Sequence, residues 1–353
     1  MGRETKGNSV YFAWRREETL LLSVAGGLMV LFGLVTKDAP VNLHVRTLAL
    51  LMFGLLMAGY LLWAAGAWVE SWRRAVAADR RWVWWLALGL LGLGWFYALA
   101  TGQLVDAVGE RIRWEVLVRL SLYVMAPTAV FVLWPPREPG LTWADGLVIL
   151  LIWFPVEFDW LPRLDLPPGG PADLSLLLAL NLVLFLFLVA RPLDLGYTFR
   201  VRGREMGVGV LCFLGFAVVG LPVGFALDFI AWNPRVTSLL DVAAKGLYIF
   251  LFTGLVEELL FRGLIQNLLE KRLRGRHAAL VALFLTSVVF GLAHLNNRER
   301  MEGLPGPNWR YALLATLAGL AYGAAWLRTR KIVPAALTHT LVDWMWVLCF
   351  TAD

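Results

Sequence analysis

Two adjacent glutamates and an arginine interrupt an apolar stretch in the last third of the sequence, as Glu257-Glu258-x-x-x-Arg262. Residues four apart share one face of a helix, so an ion pair between Glu258 and Arg262 is expected. Glu257 projects about 100° away from Glu258 and has no local cation. A carboxylate without its own counter-ion in a low-dielectric environment binds protons more readily, which suits a general base. A purely structural ion pair would explain Glu258 and Arg262 but would leave Glu257 without a partner.

Two further groups place histidines in apolar stretches, as Phe290-x-x-x-His294 and His339-x-x-x-Asp343. Asp343 is one helical turn from His339 and could orient the imidazole or select its tautomer. Taken singly, each histidine is also compatible with an ordinary satisfied polar residue, and His339 with an isolated intrahelical hydrogen bond. Hydrolysis needs a base for water and donors for the negative charge that develops. Together the three groups therefore predict one catalytic site, formed by Glu257, Glu258, Arg262, His294, His339 and Asp343.

The same side chains raise the question of a metal. Glu257, His294 and His339 could ligate zinc and leave a position for water. The helical zinc signature His-Glu-x-x-His is absent from the sequence. We therefore expect no metal and no other cofactor, with zinc as the alternative.

The composition requires these residues to lie among membrane helices. Hydrophobic residues make up 59% of the 353-residue chain and charged residues 16%, against about 25% charged in soluble domains. The net charge of +6 could indicate nucleic acid, but the basic residues form short clusters between apolar runs, a pattern typical of cytoplasmic anchoring. The expected partner is membrane lipid and not nucleic acid. The two cysteines, Cys212 and Cys349, lie in apolar runs and indicate no disulfide framework.

A bilayer core of about 30 Å requires about 20 apolar residues in a helix. This rule predicts an all-α, polytopic membrane protein with about eleven transmembrane helices and the site among the last four. The fifth stretch is short and ends in acidic residues, so it could instead be a re-entrant or interfacial helix. The predicted spans are 19–35, 47–69, 82–100, 116–134, 146–160, 173–193, 206–227, 243–269, 278–295, 311–327 and 332–350.

Basic residues predict the orientation of these spans. With eleven spans, 20 Lys and Arg residues fall on the side of the N-terminus and nine on the opposite side. Cytoplasmic loops are enriched in Lys and Arg, so the N-terminus is expected in the cytoplasm and the C-terminus outside. Straight, untilted helices would spread the site residues over roughly 12 Å along the membrane normal. The sequence alone therefore does not establish that these side chains meet. Gly319 and Gly323 form a GxxxG pair, which predicts close helix packing.

The three motifs resemble those of the CPBP (also called Abi) family of intramembrane proteases, which includes the type II CAAX prenyl endopeptidase. That family shows Glu-Glu-x-x-x-Arg, Phe-x-x-x-His and a later His-x-x-x-Asn or His-x-x-x-Asp; its better-studied members have asparagine where Asp343 stands. The resemblance covers about residues 240–350. It divides the chain into an N-terminal transmembrane region of unknown role, residues 1–200, and a CPBP-type protease domain, residues 201–353.

The resemblance implies hydrolysis of a peptide bond in a membrane-associated protein or peptide. By this analogy Glu257 and His294 hold and deprotonate the attacking water, His339 and Asp343 stabilise the oxyanion, and Glu258 and Arg262 are electrostatic partners. The family's glutamate-based mechanism needs no metal. Two alternatives remain at this point. One is a proton-coupled transporter, although the paired repeats and broken helices of transporters are not evident. The other is a non-catalytic CPBP-like scaffold or immunity protein.

Overall fold

The computed structural model describes residues 5–105, 111–235, 238–296 and 307–351, with side chains for 16–350. The chain forms two compact units. The first contains Met1–Arg137 and Thr142–Leu193; the second contains Glu138–Leu141 and Asp194–Asp353. The division between the predicted regions, placed at residue 200 from the sequence, lies close to this boundary.

The first unit consists of helices and one short β-hairpin. Strand β1 (Asp165–Leu166) pairs antiparallel with β2 (Ala172–Asp173). The last turn of the seventh helix, Leu186–Ala190, is π-helical. The helices of this unit are α1 (Thr5–Val35), α2 (Leu43–Leu62), α3 (Gly66–Ala78), α4 (Trp82–Ala100), α5 (Trp114–Leu133), α6 (Trp143–Glu157) and α7 (Leu174–Ala190).

The predicted second span, 47–69, is not one helix. Helix α2 ends at Leu62, and α3 begins at Gly66 after a tight turn. The buried side chain of Asn181 fixes this break, since its amide donates to the Leu56 carbonyl and its oxygen accepts from the Trp63 indole. A hydrophobic run alone could not reveal the break, because the side chain that holds it comes from α7.

The second unit contains the predicted site. Its helices are α8 (Gly203–Ala226), α9 (Leu239–Arg272), α10 (Ala278–Ala293), α11 (Trp309–Thr329) and α12 (Ile332–Cys349). Helix α11 packs against α8, α10 and α12, and α12 packs against α8 and α9. Strand β3 (Ala231–Trp232) pairs antiparallel with β4 (Phe350–Thr351), immediately after α12. These contacts hold the three motif-bearing helices, α9, α10 and α12, in one bundle.

Helix α9 is not a regular α-helix near the glutamates. Two π-helical segments, Phe250–Gly254 and Leu259–Gln266, flank a single α-helical turn, Leu255–Glu258. π-Segments inside helices are rare and occur frequently at functional sites. Uniform α-helical geometry was expected here from the sequence, and the local widening was not predicted.

The turn between α11 and α12 positions the start of the His339 helix. Arg330 adopts a left-handed conformation, with φ of 56°, and the Ile332 amide donates to the Gly196 carbonyl. Gly196 itself has φ of 68°, and a Cβ there would collide with the Arg330 carbonyl. Glycine suits both requirements, since it accepts positive φ and a close backbone approach.

Several helices have the properties of membrane spans. Seven among the described residues are long and apolar enough to cross a bilayer: Arg16–Val35 within α1, α2, α4, α5, α8, α9 and α12. Large apolar side chains such as Leu211 and Val218 on α8 are exposed, which lipid would cover. The chain is therefore an all-α, integral membrane protein. A helix lies at each of the eleven predicted positions, but the number of crossings and the orientation stay predictions. Arg3, Arg298 and Arg300, which contribute to the charge count, lie outside the described residues.

Candidate active site

The predicted ion pair between Glu258 and Arg262 forms at the centre of the second unit. Both side chains are fully buried, with Arg262 Nη1 donating to Glu258 Oε1 at 3.2 Å. Arg262 Nε lies 3.1 Å from Glu258 Oε2, an ion-pair contact whose angle is poor for a hydrogen bond. Burying either charge alone would be strongly unfavourable, so the pair stabilises both groups in their ionised forms.

Helix α11 completes the surroundings of Arg262. The Nη2 atom of Arg262 donates to the Gly319 carbonyl at 2.8 Å. The Arg262 guanidinium lies 4.8 Å from the centroid of the Phe290 ring and 5.4 Å from that of the Tyr322 ring. A Cβ at Gly319 would lie 3.2 Å from Arg262 Nη2 and from Ser287. The first glycine of the GxxxG pair therefore does more than allow two helices to approach. It exposes the backbone oxygen that accepts from the buried arginine.

His339 joins the ion pair from α12. Its Nδ1 lies 2.9 Å from Glu258 Oε1, and since a carboxylate paired with arginine accepts, the imidazole donates from Nδ1. On the other side, Nε2 lies 3.4 Å from Asp343 Oδ2 and 3.9 Å from Glu257 Oε2. The imidazole is 3% exposed and stands between the buried Glu258 and two outer carboxylates.

Glu257 and Asp343 are more accessible than the groups behind them. Their side chains are 32% and 36% exposed, whereas Glu258 and Arg262 are completely buried. The Glu257 Oε2 atom is itself buried and has no hydrogen-bond partner among the described residues. A partly accessible carboxylate with an unsatisfied buried oxygen is suited to bind a polar molecule such as water.

His294 is the C-cap residue of α10. Its Nδ1 lies 2.8 Å from the Phe290 carbonyl, which can only accept, so Nδ1 carries a proton and Nε2 can hold a lone pair. The imidazole contacts the Phe290 and Tyr311 rings, with centroids 4.7 and 4.9 Å apart.

The structure brings all six predicted residues into one region of the second unit. Glu257, Glu258, His339 and Asp343 are joined by direct contacts, and Arg262 is paired with Glu258. His294 is connected through Phe290, whose ring also meets His339 edge-on at 5.8 Å. Tyr322, which was not among the residues predicted from the sequence, stacks on His339 with ring centroids 4.4 Å apart. The sequence feature that could have indicated Tyr322 is its position between the two glycines of the GxxxG pair.

Zinc is the alternative cofactor that the sequence leaves open for these side chains. Among the residues that the structure describes, no group of three or more His, Cys, Asp or Glu side chains is arranged to hold a metal ion. His339 uses Nδ1 for Glu258 and His294 uses Nδ1 for Phe290, so only one nitrogen of each ring is available. Zinc needs only one nitrogen from each ring, so the alternative set Glu257, His294 and His339 stays a prediction.

Comparison with known proteins supports the resemblance of the motifs. Residues 239–345 match the family model described as Type II CAAX prenyl endopeptidase Rce1-like. No curated protein and no solved structure matches the chain. The matched segment begins with α9 and includes all six candidate residues. Residues 239–345, which include the whole candidate site, are thus similar to the Rce1-like family of type II CAAX prenyl endopeptidases, a match consistent with a CPBP-type protease.

Proposed function

We propose that this protein is an intramembrane endopeptidase that hydrolyses a peptide bond in a membrane-associated protein or peptide, using a water activated by Glu257. The main support is the position of His339, which contacts Glu258 through Nδ1 and faces Glu257 and Asp343 through Nε2. The match of this segment to a protease family supports the reaction class.

In the proposed reaction Glu257 accepts a proton from water as the water oxygen attacks the carbonyl carbon of the substrate. His294 holds the same water through its unprotonated Nε2. The negative charge passes to the carbonyl oxygen, which accepts a hydrogen bond from Nε2–H of His339. When the C–N bond breaks, the proton on Glu257 moves to the departing amine, so Glu257 acts as base and then as acid.

Asp343 has a different role from an asparagine at the same position. An ionised carboxylate 3.4 Å from His339 Nε2 only accepts, so it cannot donate to an oxyanion itself. We infer that Asp343 stabilises the protonated imidazole through its charge, which leaves Nε2–H for the oxyanion, and that Glu258, held by Arg262, accepts from Nδ1–H. No metal takes part in this mechanism.

The proposal is tested by profiling new peptide termini in membranes from cells that produce wild type, Glu257→Gln or His294→Ala. Glu138→Gln is the matched control, because its side chain is 67% exposed and forms a surface pair with Arg272. Products should appear with wild type and the control but fall by about 10²–10⁴-fold with Glu257→Gln. Equal products from wild type and Glu257→Gln would refute the glutamate mechanism.

The substrate class follows from the same experiment. The family description names CAAX prenyl endopeptidases, so a farnesylated peptide with a CAAX terminus and the same peptide without the farnesyl group are the first synthetic probes. The full chain would be assayed in proteoliposomes. Cleavage of the farnesylated form alone indicates a prenyl-protein substrate, whereas cleavage sites within other membrane proteins indicate a broader membrane-anchored substrate.

A further inference from the structure

Tyr322 is the largest uncharged side chain in contact with the centre of the site. It lies on α11 between Gly319 and Gly323 and is 1% exposed. Its ring is nearly parallel to the His339 imidazole, with centroids 4.4 Å apart and an interplanar angle of 14°. This face-to-face contact between helices α11 and α12 differs from the polar contacts of His339 with Glu258, Glu257 and Asp343, which are made by the ring nitrogens.

The stack fixes the orientation of the imidazole. Phe290 meets His339 edge-on, at 89°, and meets Tyr322 at 79°, so the two aromatic rings define one pocket around the imidazole. The Nδ1 contact with Glu258 prevents the ring from sliding, but a single hydrogen bond permits tilting about its axis. The parallel face of Tyr322 restricts that tilt, and Nε2 therefore stays directed towards Glu257 and Asp343.

Tyr322 also contacts the charges of the site. Its ring centroid lies 5.4 Å from the Arg262 guanidinium, and its plane is nearly parallel to the His339 imidazole. The face of an aromatic ring attracts a cation, more strongly when both are removed from water. A tyrosine face against imidazole therefore stabilises the protonated form of His339 relative to the neutral form.

We propose that Tyr322 is a positioning residue for His339, which sets the plane of the imidazole and stabilises its protonated form through the ring face. This inference rests on the proposed function, because it assigns Tyr322 a part in holding the oxyanion donor. The ring carries out this role, and the hydroxyl group is not required for it. The proposal thus separates two substitutions of the same residue, Tyr322→Phe and Tyr322→Leu.

The test uses the full chain in proteoliposomes and an internally quenched peptide built on a cleavage site that distinguishes wild type from Glu257→Gln. Tyr322→Phe should keep kcat within about threefold of wild type, because the ring face remains. Tyr322→Leu should lower kcat by about 10- to 30-fold with little change in KM. The alkaline limb of its kcat profile should move to lower pH by about one unit, since the proton on His339 is then lost more easily.

Trp326→Leu is the matched control for loss of a large buried ring from α11. Trp326 is 2% exposed, lies one turn after Tyr322, and packs against Arg330. It should lower thermal stability as Tyr322→Leu does, while its kcat profile against pH stays that of wild type. A purely structural role of Tyr322 predicts that both leucine variants behave alike, and that result would overturn the proposal.

Two other results would also overturn it. One is wild-type kcat and pH dependence for folded Tyr322→Leu; the other is an equal loss in Tyr322→Phe, which would assign the role to the hydroxyl group. Both are distinguishable from failure of the proposed function, because Glu257→Gln is measured on the same peptide. If Glu257→Gln is inactive and Tyr322→Leu is unaltered, the mechanism stands and only the role of Tyr322 is rejected.

Discussion

The two units each bury an arginine–carboxylate pair, but they complete the pair differently. In the first unit, Arg191 Nε donates to Asp145 Oδ1 at 2.9 Å, and Thr142 donates to Asp145 Oδ2 from its amide and its hydroxyl. Asp145 is completely buried and Arg191 is 6% exposed. The described hydrogen bonds of Asp145 are with Arg191 and Thr142, and neither partner is a titratable ring.

In the second unit, the buried pair of Glu258 and Arg262 is connected to further polar groups. Glu258 is shared between Arg262 and His339, and His339 faces the partly exposed Glu257 and Asp343. Both pairs satisfy the rule that buried charges are paired. The comparison teaches that pairing alone does not identify a site. What distinguishes the site is an unsatisfied, accessible carboxylate connected to the pair through a titratable ring.

The largest expected effects come from removing the two arginines, as Arg262→Met and Arg191→Met. Each leaves a buried carboxylate without its cation, which should lower the free energy of unfolding by about 3–5 kcal/mol. Only Arg262→Met should also reduce activity per folded molecule, by about 10- to 100-fold, since Glu258 then holds His339 less well. Thermal unfolding in detergent and cleavage rates normalised to folded protein measure the two effects. Equal loss of specific activity in both variants would contradict the assignment of a role in activity to the Glu258–Arg262 pair alone.

The next smaller effect is expected for Asp343→Asn. Its control is Asp145→Asn, in the buried pair with Arg191. Asp343 is 36% exposed, so its stability should change by no more than about 0.5 kcal/mol. Its kcat should fall by about fivefold, because a neutral amide stabilises the protonated imidazole of His339 less than a carboxylate does. Asp145→Asn should instead lower the unfolding temperature and leave kcat unchanged. A higher kcat in Asp343→Asn would indicate that position 343 donates to the oxyanion.

The smallest expected effect is that of metal removal. Incubation with a zinc chelator should leave the cleavage rate of the reconstituted enzyme unchanged, because Glu257, His294 and His339 do not form a ligand set among the described residues. Metal analysis of the purified protein and rates after chelation and zinc addition provide the measurement. Loss of activity that zinc restores would favour the metallopeptidase alternative over a glutamate-activated water.

Motif spacing predicted local contacts within single helices. The pairs Glu258–Arg262 and His339–Asp343 form as expected, since residues four apart meet on one helical face whatever the helix packs against. The apolar runs likewise predicted helices, because lipid obliges each segment to satisfy its own backbone hydrogen bonds. The sequence did not predict the division of the 47–69 span or the π-segments of α9, as both depend on neighbouring helices.

The sequence by itself determined that six ionisable side chains fall into three motifs within apolar stretches, and therefore that these six needed a chemical explanation. Tertiary structure alone decided that Glu258 bridges Arg262 and His339, that the Gly319 carbonyl accepts from Arg262, and that Tyr322 stacks on the imidazole. These contacts join helices α9, α11 and α12, and the tilt and rotation of one helix against another depend on packing over the whole interface. Residue spacing along one helix does not determine these contacts between helices.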